Sequence, residues 1–197
     1  MEKKDKNRNK GFTLVETLVA ISILSVSILG TFTAVQSGLS KSNYAKEQIV
    51  AFYLIQEAME SIRNKRDTNA LNNINSGVFS VNWLHGISEL ITDPCSVGKI
   101  CTVDSFDYDK APICTGICLP PKLTSCPGTF GTCPPLNQDI STGLFGYNPA
   151  WPQTKYTREI QVVPIDAKEV VVTVRVTWNT GSFSKSVQVK ESLFDIR

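Results

Sequence analysis

One carboxylate stands inside an apolar stretch: Glu16, in a run that extends from Phe12 to about Val35. An ionised side chain within a membrane-length segment costs roughly 2.5–3.5 kcal/mol on insertion scales, so such a group is functional by default and needs a compensating charge. A cut between Gly11 and Phe12 would supply one, because the new α-amino group lies four residues before the carboxylate, within reach on its own or a neighbouring helix. The second chemically distinctive set is six thiols, Cys95, Cys101, Cys114, Cys118, Cys126 and Cys133, in a tract rich in Pro and Gly from Pro94 to Pro135. Zinc competes with disulfides for such a set, but there is no Cys-x-x-Cys knuckle and His85 is the single histidine. An even count in an exported chain favours disulfides, with 15 possible pairings that spacing does not choose among.

Gly11-Phe12-Thr13-Leu14-Val15-Glu16, behind a basic leader ending at Lys10, resembles the prepilin signature of type IV pilins and type II secretion pseudopilins. The resemblance implies a peptidase that cuts after Gly11 and methylates the new amine of Phe12. It implies an assembly role for Glu16, and partners that comprise prepilin peptidase, other pilins in a helical filament and an inner-membrane assembly platform. A plain secretory signal has a shorter core that precedes its cleavage site, whereas Gly11 lies before the apolar run. A plain single-pass anchor explains the length but neither Glu16 nor the Gly11-Phe12 junction. Residues Ala51 to Asp67, AFYLIQEAMESIRNKRD, also resemble the helix end of minor pilins and minor pseudopilins.

The elements that would position these residues follow from charge and periodicity. The chain has 197 residues, 42% of them hydrophobic, and a formal charge of +2. Lys3, Lys4, Lys6, Arg8 and Lys10 against Glu2 and Asp5 give the leader +3, which leaves −1 for the rest. A near-neutral body gives no basis for general nucleic-acid binding. The basic leader beside an apolar run predicts an N-terminus on the cytoplasmic side of the inner membrane and a C-terminal domain outside, with membrane lipid as the partner before assembly.

With no proline between Phe12 and Pro94, one helix is expected from Phe12 to Arg66, roughly 80 Å at 1.5 Å per residue, with Asp67-Thr68-Asn69 as its stop. Small residues Ala20, Ser22, Ser25, Ser27 and Gly30 would let other helices approach, and Gly30 and Gly38 are candidate sites of bending. Family members often carry a helix-breaking proline near Thr33; this chain has none. Beyond Leu39, Ala45, Ile49, Phe52, Ile55, Met59 and Ile62 step by three or four and define an apolar stripe.

From Tyr156 the period changes to two. Val170, Val172, Val174, Val176 and Trp178 share one face of a strand, Asn179-Thr180-Gly181-Ser182 forms a hairpin turn, and Phe183, Val187 and Val189 alternate beyond it. With Tyr156 to Val163 this makes an antiparallel meander of at least three strands, covered by the amphipathic helix half.

The expected architecture is α+β and pilin-like: a leader (1–11), a transmembrane or filament-core helix (12–38), an amphipathic half (39–66) and an outward β domain (67–197) with a disulfide-rich loop insertion (94–135). The chain is read as a structural subunit of a type IV pilus or secretion pseudopilus, later part of an extracytoplasmic filament. The alternative is a tip-located minor pilin that binds a surface or ligand through the Cys-rich loop. A membrane-anchored enzyme is the weaker third reading, since no nucleophile elbow, phosphate loop or paired histidines occur and no cofactor or metal is expected. His85 in Val81-Asn82-Trp83-Leu84-His85-Gly86 is expected to pack or make a structural hydrogen bond. Phe145, Tyr147, Trp151 and Trp83 are expected in local core rather than on a carbohydrate or partner surface.

Overall fold

The computed structural model describes residues 11–76, 81–105 and 121–196. Helix α1 spans Leu14–Ser76, and seven strands follow: β1 (Ile100–Asp104), β2 (Lys122–Cys126), β3 (Pro135–Gln138), β4 (Phe145–Gly146), β5 (Gln153–Pro164), β6 (Glu169–Thr180) and β7 (Phe183–Phe194). The chain divides into two units, Met1–Glu47 and Gln48–Arg197.

In the first unit α1 is continuous through Gly30 and Gly38, so neither glycine unwinds it. Its apolar side chains are solvent-facing, from Leu14 at 80% exposed to Leu39 at 62%. The polar side chains between them bond to the helix itself. Ser22, Ser25 and Ser27 each donate to the carbonyl four residues back, at 2.8, 2.8 and 2.9 Å, and Thr33 donates to Gly30 at 2.9 Å. Such back-bonding leaves these four hydroxyls in no need of water.

The second unit is one antiparallel sheet covered by the rest of α1. Strands β5, β6 and β7 form the expected meander, with Tyr156 opposite Trp178 and Val176 opposite Val187. The other edge of β5 is shared: β3 pairs with it at Thr157 and Gln153, and β1 pairs at Ile160 through Cys101. Val170, Val172, Val174, Val176 and Trp178 are all buried, as the alternation requires. Gly181, at φ 60°, sits in the two-residue turn between Thr180 and Phe183.

Against this face α1 buries Ala51, Leu54, Ile55, Ala58, Met59 and Ile62. The stripe is rotated from the expected one: Ile55, Met59 and Ile62 are on it, while Ile49 and Phe52 remain 54% and 41% exposed and Ala45 is exposed. Two alanines occupy the contact because small side chains let the helix lie close to the sheet. The close approach also admits Arg158 of β5. Its guanidinium is fully buried and donates to Leu54 O (3.1 Å) and Glu57 Oε2 (2.7 Å) on α1 and to Val103 O (2.7 Å) on β1.

The helix does not stop at Asp67-Thr68-Asn69 but runs to Ser76. Asn69 is buried and donates to Trp83 O (3.1 Å) and His85 O (2.9 Å), while Asn73 donates to Val81 O (2.6 Å) and accepts from Val81 N (3.0 Å). Asparagine ends helices by competing for nearby main chain. Here both side chains bond to a distant segment instead, so the competition is removed.

The cysteine tract is also more regular than a loop insertion, because β1 and β2 lie within it and pair from Ile100–Cys126 to Asp104–Lys122. Cys95 bonds to Cys101 and Cys126 to Cys133, with Cα separations of 5.1 and 5.0 Å. Cys114 and Cys118 lie outside the described residues. The first bridge is part of the main core; the second packs with Ile100 and Phe130 in a smaller cluster. The second also holds a loop over the far face of the sheet, where Gly131 N and Thr132 N donate to the buried carboxylate of Glu159. Arg175 pairs with the same carboxylate at 2.9 Å and lies 4.2 Å from the Phe130 ring. Gly131 has φ 101°, a conformation that a β-carbon disfavours.

Two expectations follow. Arg158→Met should cost about 3 kcal/mol, because it strips partners from buried carbonyls and breaks a buried ion pair. Arg63→Met, whose pair with Glu191 is 41% and 30% exposed, should cost less than about 1 kcal/mol. Urea unfolding followed by the fluorescence of buried Trp83 and Trp178 measures both, and equal losses would refute the assignment. Non-reducing peptide mapping should recover Cys95–Cys101 and Cys126–Cys133. Reduction should speed amide exchange at Gly131 and Thr132 while helical circular dichroism persists.

Candidate functional site

Gly11, Phe12 and Thr13 precede α1 without regular structure, and all three are exposed. The backbone between Gly11 and Phe12 therefore lies outside the helix. A β-carbon added to Gly11 would meet nothing within 4 Å. The fold thus places no steric demand for glycine at this position. Phe12 is 81% exposed, so nothing in the described chain shields the amine that a cut would release.

Thr13 caps the helix, its Oγ1 accepting from Glu16 N at 3.2 Å, and Thr13 O accepts from Thr17 N at 3.2 Å. Thr13 and Glu16 have the Thr-x-x-Glu spacing of a capping box. Glu16 is the acidic residue of the first turn, where the positive end of the helix dipole favours a carboxylate by about 0.3–1 kcal/mol. The sequence held this signal, and the reading of Glu16 as an isolated charge missed it. The dipole offsets only part of the cost of burying an ion in an apolar medium, so a full cation remains the better partner.

Helix α1 is long and apolar enough to cross a membrane; its most apolar 18-residue window has a mean hydropathy of 2.2 and is wholly exposed. That surface and the short cationic leader fit an inner-membrane anchor.

The remaining candidates have structural surroundings. His85 Nδ1 lies 2.8 Å from Glu89 Oε2, four residues on in the same run of turns and bends. Trp83 is buried in the core, and Phe145 and Tyr147 pack against it, Phe145 edge-on to Tyr156 at 6.2 Å. Trp151 lies against Gly146, where a β-carbon would come within 3.1 Å of its ring and of Asp104. Among the described residues no three His, Cys, Asp or Glu side chains are grouped to hold a metal.

No curated protein and no solved structure matches the chain. Residues 6–32 do match a family model, the prokaryotic N-terminal methylation motif. The match covers the end of the leader, the Gly11-Phe12 junction, the capped turn with Glu16 and the exposed apolar helix as far as Phe32. It points to a structural subunit rather than an enzyme, to processing by prepilin peptidase and to assembly with other pilins. At its N-terminus this chain carries the signature of type IV pilins and pseudopilins.

Proposed function

We propose that this chain is a minor structural subunit of a type IV pilus or a type II secretion pseudopilus, cut between Gly11 and Phe12, methylated on the Phe12 amine and assembled through the helix from 12 to 38. The observation that carries the reading is the coincidence of the methylation motif with a helical segment whose most apolar window is wholly exposed. Such a surface is stable in lipid or against other helices, and the hydroxyls of Ser22, Ser25, Ser27 and Thr33 are already bonded within the helix. The likeness of Ala51 to Asp67 to minor subunits supports an accessory rather than an abundant role. A tip-located, ligand-binding form of the same subunit is favoured by one observation, a cavity walled in part by the cysteine tract.

Glu16 acts in assembly by pairing with the Phe12 amine of a neighbouring subunit. Processing removes the leader's cations and leaves one amine at the head of each helix. In an apolar filament core that amine and Glu16 neutralise each other, and the pair fixes the axial register of the incoming subunit.

Mass spectrometry of exported protein is expected to give a mature chain that begins at Phe12 and bears one methyl group. A mature terminus elsewhere refutes the proposal, and Gly11→Arg should block the cut. Glu16→Leu should remain membrane-inserted but be depleted from filaments. Glu16→Gln separates charge from capping: it keeps an N3 side chain able to cap, so recovery of incorporation by Gln would assign Glu16 to the helix start and not to an ion pair.

A further inference from the structure

A second cavity walled in part by the cysteine tract, of about 430 Å³, opens on the far face of the sheet. Its floor crosses three strands: Glu159 of β5 lies opposite Arg175 of β6, and Thr177 of β6 lies between Thr157 of β5 and Ser186 of β7. Asn179 and Ser184 face each other at the hairpin end. Val174, Val176 and Trp178 alternate with these β6 residues and are buried in the core, so the polar row lies on the side away from the helix. Gly131, in the loop that the Cys126–Cys133 bridge closes, completes the wall. The volume falls in the range of small-ligand sites, which begin at about 300 Å³.

Arg175 gives the cavity its chemistry. Its Nε and Nη2 donate to Glu159 Oε2, at 3.3 and 2.9 Å, and its guanidinium carbon lies 4.2 Å from the centre of the Phe130 ring. These two contacts fix the plane of the group and use one edge of its fork. Nη1 has no hydrogen-bond partner among the described residues, so the edge formed by Nη1 and Nη2 is left over. The side chain lines the cavity and is 27% exposed. With one edge against Glu159 and one face against Phe130, the guanidinium presents its other edge to what enters. An arginine held in this way is a preorganised receptor for two oxygens on one centre.

The rest of the lining selects the anion. Arg175 and Lys185 against Glu159 give the lining a formal charge of +1, with Lys185 5.9 Å from the centre of the Phe183 ring. A carboxylate carries one negative charge and matches it, whereas a phosphate monoester carries roughly 1.5 to 2. Asn179, Ser184 and Ser186 are exposed, and their side chains both donate and accept. Among the described residues no purely apolar side chain lines the cavity, so its occupant is polar throughout. A carboxylate on a ring that bears hydroxyls meets all of these conditions.

We propose that this cavity binds an acidic sugar, a hexuronate, with its carboxylate on the open edge of Arg175 and its hydroxyls among Asn179, Ser184 and Ser186. The inference gives the ligand-binding, tip-located form of the subunit its ligand class and rests on that form only for its place in the cell. Binding is measured on single chains, so a failure of assembly bears on the filament reading and a failure of binding bears on this site.

The test uses the full chain in micelles of a zwitterionic, sugar-free detergent and saturation-transfer NMR with the methyl glycosides of glucuronate and galacturonate, and with those of glucose and galactose as neutral counterparts. At least one uronide should receive saturation, and its neutral counterpart should bind about tenfold or more weakly, the loss of one charge-assisted hydrogen bond. Arg175→Lys keeps a cation for Glu159 but has no second edge, and should weaken the uronide by a similar factor. Ser186→Glu, a change at an exposed position of an edge strand, places a competing carboxylate in the cavity. It should abolish uronide binding, and it covers the case in which Arg175→Lys does not fold. No transfer to either uronide overturns the proposal, as does uronide binding left unchanged by Ser186→Glu or by a folded Arg175→Lys. Equal binding of the neutral glycosides, or displacement of the uronide by equimolar inorganic phosphate, overturns it too, since the first removes the carboxylate's role and the second marks a bare anion site.

Discussion

A single buried guanidinium connects the parts of the second unit. Arg158 lies at the centre of β5, the strand whose two edges carry β6 on one side and both β1 and β3 on the other. From there it reaches the helix and β1 together. A buried charge of this kind is expensive to desolvate, and it is tolerated when hydrogen bonds and a counter-ion compensate it. Glu57 supplies the counter-ion from a position 35% exposed, so the pair's negative end stays partly hydrated. The arrangement constrains geometry more than it adds energy. The helix can settle on the sheet only where Leu54 O and Glu57 face the guanidinium, and the small side chains of Ala51 and Ala58 make that approach possible.

The next residue does the equivalent work on the opposite face. Successive side chains of a strand point to opposite sides of the sheet, so Glu159 is directed away from the helix. There it gathers Arg175 and two N–H groups of the disulfide-closed loop. One Arg-Glu dipeptide therefore anchors a helix on one face and a crosslinked loop on the other. The disulfide complements this by keeping the loop short enough for Gly131 and Thr132 to present both N–H groups to one oxygen.

Legibility in the sequence follows the range of the interactions. The Val170–Trp178 alternation and the Gly181 turn are local patterns, and both appear where the sequence puts them. The methylation motif is equally local, and the family-model match at residues 6–32 spans Gly11 and Glu16. The helix end was hidden because Asp67-Thr68-Asn69 reads as a stop until the partners of Asn69 and Asn73 at 81–85 are known. Strands β1 and β2 were obscured by the prolines and glycines around them, and the phase of the helix stripe depended on two alanines that hydrophobicity alone ranks below Phe52 and Ile49. Thr157-Arg158-Glu159 reads as a polar stretch of strand, although two of its three side chains are fully buried. The cavity beside Tyr147 is the extreme case, since its floor and wall come from segments some forty residues apart, as in the Asp104–Tyr147 contact.

The hydroxyls of Ser22, Ser25, Ser27 and Thr33 give the exposed helix a property that hydropathy does not express. Each is bonded to a carbonyl of its own helix. Moving this segment from one apolar environment to another therefore breaks no hydroxyl hydrogen bond and needs no new one. To such a helix a lipid tail and a neighbouring helix are nearly equivalent solvents, and the choice between them passes to shape: how closely the small residues allow two backbones to pack, and where along the axis they do so.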